Sequence, residues 1–175
     1  MTEPEISIGV ARRSDAGVIA TLSRDLIESG LDWTWTPQRV AASIRRADTI
    51  VAVAREANRI AGFGIMRYGD DEAHLDLLGV KRLYRRTGLG RRLVAWLEKP
   101  ALLGGISTVS LEVRASNHGA RTFYARLGYR ATIEIARYYQ GREPAIRMSR
   151  ELAWRTGDSS AVARRLSELL RSATR

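Results

Sequence analysis

Val80-Lys81-Arg82-Leu83-Tyr84-Arg85-Arg86-Thr87-Gly88-Leu89-Gly90-Arg91, followed by the amphipathic run Arg92 to Leu103, reads as a strand end, a tight basic loop with two glycines, and a helix. That order gathers successive backbone N–H groups and a helix N-terminus around one point, which suits a pyrophosphate. Two other phosphate loops are excluded by the residues themselves. A Walker loop needs Gly-Lys-Ser/Thr, and here Gly90 is followed by Arg91-Arg92. A Rossmann fingerprint needs a third glycine, and position 93 is leucine. The amides of Arg86 to Arg91, including those of Thr87, Gly88, Leu89 and Gly90, are the expected donors, and Arg85, Arg86 and Arg91 supply charge.

Outward from this loop, the pattern alternates between strands and helices. Upstream, Ile6 to Ala11 reads as a strand, and Ser14-Asp15 as the cap of a helix carrying Val18, Ile19, Leu22, Leu26 and Ile27 and ending near Gly30. Thr36-Pro37 starts a second helix through Arg45. Thr49 to Glu56 and Ile60 to Tyr68 form a hairpin, and Ala73 to Val80 is the strand that feeds the loop. Downstream, Gly104-Gly105 closes the helix, and Thr108 to Val113 reads as a short strand buried on both faces. Asn117 caps a helix to Leu127, Gly128 stops it, and Tyr129 to Arg137 and Ala145 to Leu152 are the last strands. The expected fold is a mixed α/β (α+β) domain over residues 1–152, with about seven mostly antiparallel strands, one central parallel pair, and helices on both faces. Residues 153–175 carry Val162, Leu166, Leu169 and Leu170 on one stripe and read as an appended amphipathic helix. Its alternatives are to cover a sheet edge, to join a homodimer, or to fold on a partner.

Composition removes several classes of function. The 175 residues contain no cysteine, so disulfides, thiolate metal sites and a cysteine nucleophile are all excluded. His74 and His118 are the only histidines, and no metal site is expected. No apolar run reaches the ~18 residues of a membrane span, and Met1-Thr2-Glu3-Pro4-Glu5 does not read as a signal peptide. The expected location is the cytoplasm. Lysines and arginines number 29 against 19 acidic residues, a net charge of +10, and only Lys81 and Lys99 are lysines. The cations are scattered and accompany no groove-reading motif, so nucleic acid is not favoured as the partner.

Three features taken together identify a family. Arg85-x-x-Gly88-x-Gly90 opens a helix, Leu111-Glu112-Val113 lies on the next strand, and Asn117-x-x-Ala120-x-x-Phe123-Tyr124-x-x-Leu127-Gly128-Tyr129 follows. Over roughly residues 6 to 152 this resembles the GCN5-related N-acetyltransferase superfamily, which moves acetyl from acetyl-CoA to an amine. Leu111 to Asn117 and Tyr138-Tyr139 to Met148 are most similar to the protein N-terminal acetyltransferases, including the bacterial ribosomal-protein-alanine type. The resemblance implies the GNAT fold, with a β-bulge that splays the loop-bearing strand from its parallel neighbour. Backbone groups of Leu78, Gly79 and Val80 would then pair with pantetheine, and an N–H near Val80 would hold the oxyanion.

Other residues acquire roles by the same resemblance. Asn117, a helix cap on propensity alone, would also touch the cofactor. Tyr124, otherwise a core aromatic, would be the general acid that protonates the leaving thiolate. Glu112 would be the general base, with His74 on the preceding strand as its rival. From the residues alone, Glu112 is either paired with an arginine or desolvated for chemistry, and His74 is a surface strand residue. Trp33 and Trp35 either pack between the first two helices or wall a substrate site that Tyr138 and Tyr139 border. An α-amine of pKa ~7.7–8 suits a modest base better than lysine at ~10.4, so a protein N-terminus is the expected acceptor and a small amine the alternative. Two departures stand out: Arg82 where many members have proline, and Glu143-Pro144-Ala145 where Asp-Ala is commoner.

Overall fold

The computed structural model describes residues 5–152. The amphipathic stripe read over 153–175 lies outside them, as does the division of the chain at residue 152. Seven strands form one sheet in the order β1-β2-β3-β4-β5-β7-β6. They are β1 (Ile6–Val10), β2 (Thr49–Glu56), β3 (Arg59–Tyr68), β4 (Glu72–Val80), β5 (Thr108–Arg114), β6 (Arg130–Tyr139) and β7 (Glu143–Glu151). Helices α1 (Ala16–Leu26), α2 (Pro37–Arg45), α3 (Leu89–Leu103) and α4 (His118–Arg126) follow the expected order. Every neighbouring pair is antiparallel except β4 and β5, the parallel pair expected on either side of the loop-bearing helix.

Two apolar layers hold the sheet. Met66, Leu75, Leu93, Leu97, Leu111 and Met148 belong to the layer between the sheet and α3. Ile19, Val40, Val51, Phe63, Ile65 and Leu77 form the layer under α1 and α2. The phase of α1 differs from the sequence expectation. Its buried residues are Ala16, Ile19, Ala20 and Ser23, while Val18 is exposed. Small residues at 16, 20 and 23 let the helix lie close to the sheet, which a hydrophobicity count does not register. Asp15 also does something other than cap: its carboxylate accepts from the Arg12 N–H at 2.6 Å and pairs with Arg55 across to β2.

One irregularity in β4 positions the site. Ile65 pairs with Leu77 and Met66 with Leu75, so Asp76 is an extra residue, a bulge. Its effect is visible in the core. Leu75 packs in the α3 layer and Leu77 in the opposite one, although residues two apart on a regular strand share a face. Beyond the bulge, Gly79 lies under the ring of Phe63, where an added Cβ would come within 2.5 Å of Cε1. Gly79→Ala is therefore expected to lower stability by about 1–3 kcal/mol, read as a shift of the denaturant midpoint; an unchanged midpoint would show that Phe63 moves freely.

The parallel ladder is short. It runs from Glu72–Thr108 to His74–Ser110 and stops there, although both strands continue. β5 instead stays paired with β7 along its whole length. The two parallel strands therefore diverge from His74 and Ser110 onward and leave a V-shaped gap in the middle of the sheet.

Candidate active site

The backbone on one wall of this gap can be oriented residue by residue. The Lys81 N–H donates to the Ala61 carbonyl at 2.9 Å, so Lys81 faces β3. Alternation along an antiparallel pair then turns Gly79 and Leu77 toward β3, and Leu78 and Val80 toward the gap. Leu78 and the Val80 N–H thus stand unpaired along the gap. Gly79 does not: its peptide groups serve the β3 ladder, and its missing Cβ makes room for Phe63. The Val80 carbonyl accepts from Arg85 Nε at 3.1 Å, which ties the basic loop to the gap.

At the end of β4 the two glycines of the loop serve different ends. Gly88 is the N-cap of α3 with φ 83°, a left-handed conformation that L side chains resist, and it offers no capping side chain. Arg92 is the first residue of α3 to bond back, to the Gly88 carbonyl, so the N–H groups of Leu89, Gly90 and Arg91 lack helical acceptors. Gly90 is small for packing, since a Cβ there would sit 3.1 Å from the ring of Phe123 on α4. The Thr87 hydroxyl turns inward to the Tyr84 carbonyl at 2.7 Å, and Arg86 adopts φ 63°. No acidic residue stands in the first turn of α3, and basic side chains surround it.

A cavity of about 450 Å³ occupies the gap and extends under the α1–α2 loop. Its walls bring together His74, Leu78, Glu112, Asn117, Tyr124, Trp35, Tyr138 and Tyr139 from six separate elements or loops. Asn117 is the cap of α4, accepting from the Ala120 N–H at 3.0 Å, and lines the cavity as well. Tyr124 is buried, with its ring edge-to-face against Phe123 and Tyr129. Burial first, and then the neighbouring Tyr139, push its phenol well above the ordinary range, so it stays protonated throughout the working pH. Tyr138 and Tyr139 stack edge-to-face at 5.0 Å on the opposite wall. Trp33 is not part of the lining: its indole N–H donates to the Ala20 carbonyl and Arg24 lies over its ring.

Glu112 and His74, expected as rivals, are partners. The Glu112 side chain is only 4% exposed, with Oε2 2.9 Å from His74 Nε2 and Oε1 2.7 Å from Arg147 Nε. Burial alone would raise its pKa; the hydrogen bonds and charges of His74 and Arg147 outweigh that and hold it down at about 2. An ionised carboxylate only accepts, so His74 Nε2 must carry a hydrogen. The other ring nitrogen, Nδ1, lies 3.0 Å from the Ser110 hydroxyl. His74 is accordingly half-buried and bonded on both sides, not a free surface residue. β5 also differs from the expectation of two apolar faces. Val109, Leu111 and Val113 fill one core, while Ser110 and Glu112 on the other face serve this polar cluster.

Several residues of the site were not singled out from the sequence. Asp76, carried by the bulge, accepts from Arg67 Nε and Nη2 on its two carboxylate oxygens, each at 2.7 Å. Glu28 is buried and gathers the Ser23 hydroxyl, the Thr34 hydroxyl and the N–H groups of Thr34 and Trp35, which shapes the lip before α2. Gln140 joins that lip to the β6–β7 turn: its Oε1 accepts from the Asp32 N–H and its Nε2 donates to the Asp32 carbonyl, each at 3.0 Å. Glu28 and Gln140 pin backbone, a role for which local sequence carries no signal.

A splayed parallel pair, a glycine-capped helix and a tyrosine at the gap together describe a known design, and residues 20–129 match the family model for the acetyltransferase (GNAT) family. The chain belongs to that family. Among GNAT relatives, the [ribosomal protein bS18]-alanine N-acetyltransferase of Escherichia coli K12 is 39% identical over 94 residues, covering 52% of this chain and 64% of that enzyme. The match thus spans a little under two thirds of the relative's length. The crystal structure of the Escherichia coli ribosomal-protein-S18-alanine N-acetyltransferase superposes with a TM-score of 0.74 and 27% identity, covering 87% of this chain and 98% of that one. Arabidopsis thaliana NAA60, solved in complex with acetyl-CoA, shares the GNAT fold with a TM-score of 0.74 at 17% identity, covering 85% of this chain and 99% of its own. Among the described residues, no helix is long and apolar enough to cross a membrane.

Proposed function

We propose that this chain is an acetyl-CoA-dependent N-acetyltransferase of the cytoplasm whose acceptor is the α-amine of a protein N-terminus. The observation that carries the reading is the gap itself, where the backbone of Leu78 and the N–H of Val80 stand unpaired on one wall and the buried Tyr124 lines the cavity. The residues fit acetyl-CoA. Leu78 and Val80 offer strand-like pairing to pantetheine amides, and the bare N–H groups of Leu89, Gly90 and Arg91, with Arg85 and Arg86 beside them, suit its pyrophosphate. When bound, acetyl-CoA supplies an acetyl thioester, which an attacking amine converts to an amide with release of the CoA thiol. Tyr124 holds the proton that the leaving sulfur needs. The Val80 N–H faces the gap, where it can donate to a developing oxyanion.

On the acceptor side Glu112 acts as a fixed negative charge. A carboxyl held at about 2 is a weak base, so it orients a water or the incoming amine and does not itself extract a proton from a strong ammonium. His74 is a positioning residue: it occupies Glu112 Oε2, and its Nδ1 faces Ser110. An acceptor that is already partly neutral is then required, and an α-amine at ~7.7–8 meets that need far better than lysine at ~10.4. The likeness to bS18-alanine acetyltransferases supports the same choice. The test is a panel read by acetyl-CoA consumption. Ala-starting peptides are expected to outrun free amino acids, polyamines and amine antibiotics; activity on the free amines with none on the peptides would overturn the N-terminal reading.

A further inference from the structure

Arg39 lines the same cavity and has no part in the chemistry above. The other two arginines that line it are neutralised. Arg67 is held by Asp76 at 2.7 Å, and Arg114 faces Glu143 at 3.6 Å while donating to the Ile27 carbonyl. Arg39 has no carboxylate within 4.0 Å among the described residues. Its guanidinium carbon instead sits 4.0 Å from the centroid of the Trp35 ring. Trp35 is itself fixed, 9% exposed and with its backbone N–H bonded to buried Glu28. Stacking on a rigid indole orients a guanidinium while leaving its N–H edge free for a bidentate partner.

We propose that Arg39 is a specificity-determining residue that selects acceptors with a carboxylate side chain close behind the amine, that is, acidic protein N-termini. The inference rests on the N-terminal reading above and names the class within it. An acidic side chain meets a fork that is already in place, so little side-chain entropy is lost on binding. A basic one meets an uncompensated cation on a chain whose net charge is already +10. The lip carboxylates are engaged elsewhere: Glu28 accepts from the Ser23 and Thr34 hydroxyls and from backbone amides, and Asp32 faces Arg142 at 3.7 Å. They leave no carboxylate bonded to Arg39 that would offset its charge.

The test uses three peptides that begin Ala-Glu-Glu, Ala-Gln-Gln and Ala-Lys-Lys with an identical remainder, compared by kcat/KM. The expected order is Glu over Gln over Lys, with steps of about 5-fold that shrink in high salt, as for a partly exposed charge pair. Arg39→Gln should level the series and Arg39→Glu should invert it, an outcome that loss of packing alone cannot give. An Arg39→Gln series in the parent's order, or a flat parent series, overturns the inference while N-terminal acetylation stands. If none of the three is acetylated while free amines are, the N-terminal reading fails and this one with it.

Discussion

Tyr124→Phe is expected to lower kcat by about 10²–10⁴-fold, the range a positioned general acid contributes, with little change in acetyl-CoA affinity. The substitution removes one oxygen and leaves the rest of the ring in place. Its edge-to-face contacts with Phe123 at 5.0 Å and Tyr129 at 5.6 Å are retained, so folding should be nearly unaffected. Tyr124 lines the cavity, and burial keeps its phenol protonated where a phenol in water would begin to ionise at ~10. Measuring kcat beside the dissociation constant of CoA separates the two roles the residue could have. Unchanged turnover would remove the acid role, and an equal loss of turnover and CoA affinity would make Tyr124 a binding residue only.

Legibility followed the range of the forces involved. The order of elements could be read because hydrophobic periodicity and caps are local: Thr49–Glu56 was expected to the residue, and Asn117 as a cap. The glycine loop could be read from its own residues, and the resemblance supplied the gap and the role expected of Tyr124. What stayed hidden depends on register between strands distant in sequence. Glu112 was expected to be either paired or catalytic, yet it is bonded at once to His74 on β4 and Arg147 on β7, a three-strand coincidence that no single segment encodes. The bulge could be expected in general, but not that Asp76 carries it or that it turns Gly79 away from the gap. Tyr129, expected to begin β6, is buried in the α3 core with its hydroxyl on Glu98, a pairing that strand propensity cannot register. The Gln140–Asp32 bridge joins positions 108 apart in the chain and is made to backbone, so composition leaves no trace of it.

Glu112→Gln is the second change with a large expected effect, and it separates charge from shape. Glutamine keeps the volume and an acceptor oxygen but removes the negative charge from the cavity wall, so on the proposed role kcat should fall by about 10²-fold. The rise of kcat/KM with pH should keep its position in both proteins, near the ~7.7–8 of an α-amine, because a carboxyl held at about 2 has no titration left to show there. A parent limb near pH 4–5 would mean that Glu112 titrates as an ordinary base, and parental turnover in the variant would make it purely structural. Stability gives an independent reading. Arg147 is 47% exposed and can rehydrate when its partner loses charge, so the variant should lose about 1–2 kcal/mol, less than the ~3–5 of a fully buried pair. Folding lowers the Glu112 carboxyl from 4.5 to about 2. Its stabilisation is therefore complete above about pH 4.5 and lost as the pH falls toward 2, because the unfolded chain binds the proton more readily. The denaturant midpoints of parent and variant should accordingly draw together on acidification. A gap that stays constant down to pH 2 would show that the ion pair with Arg147 and the hydrogen bond from His74 are not what holds Glu112 in place.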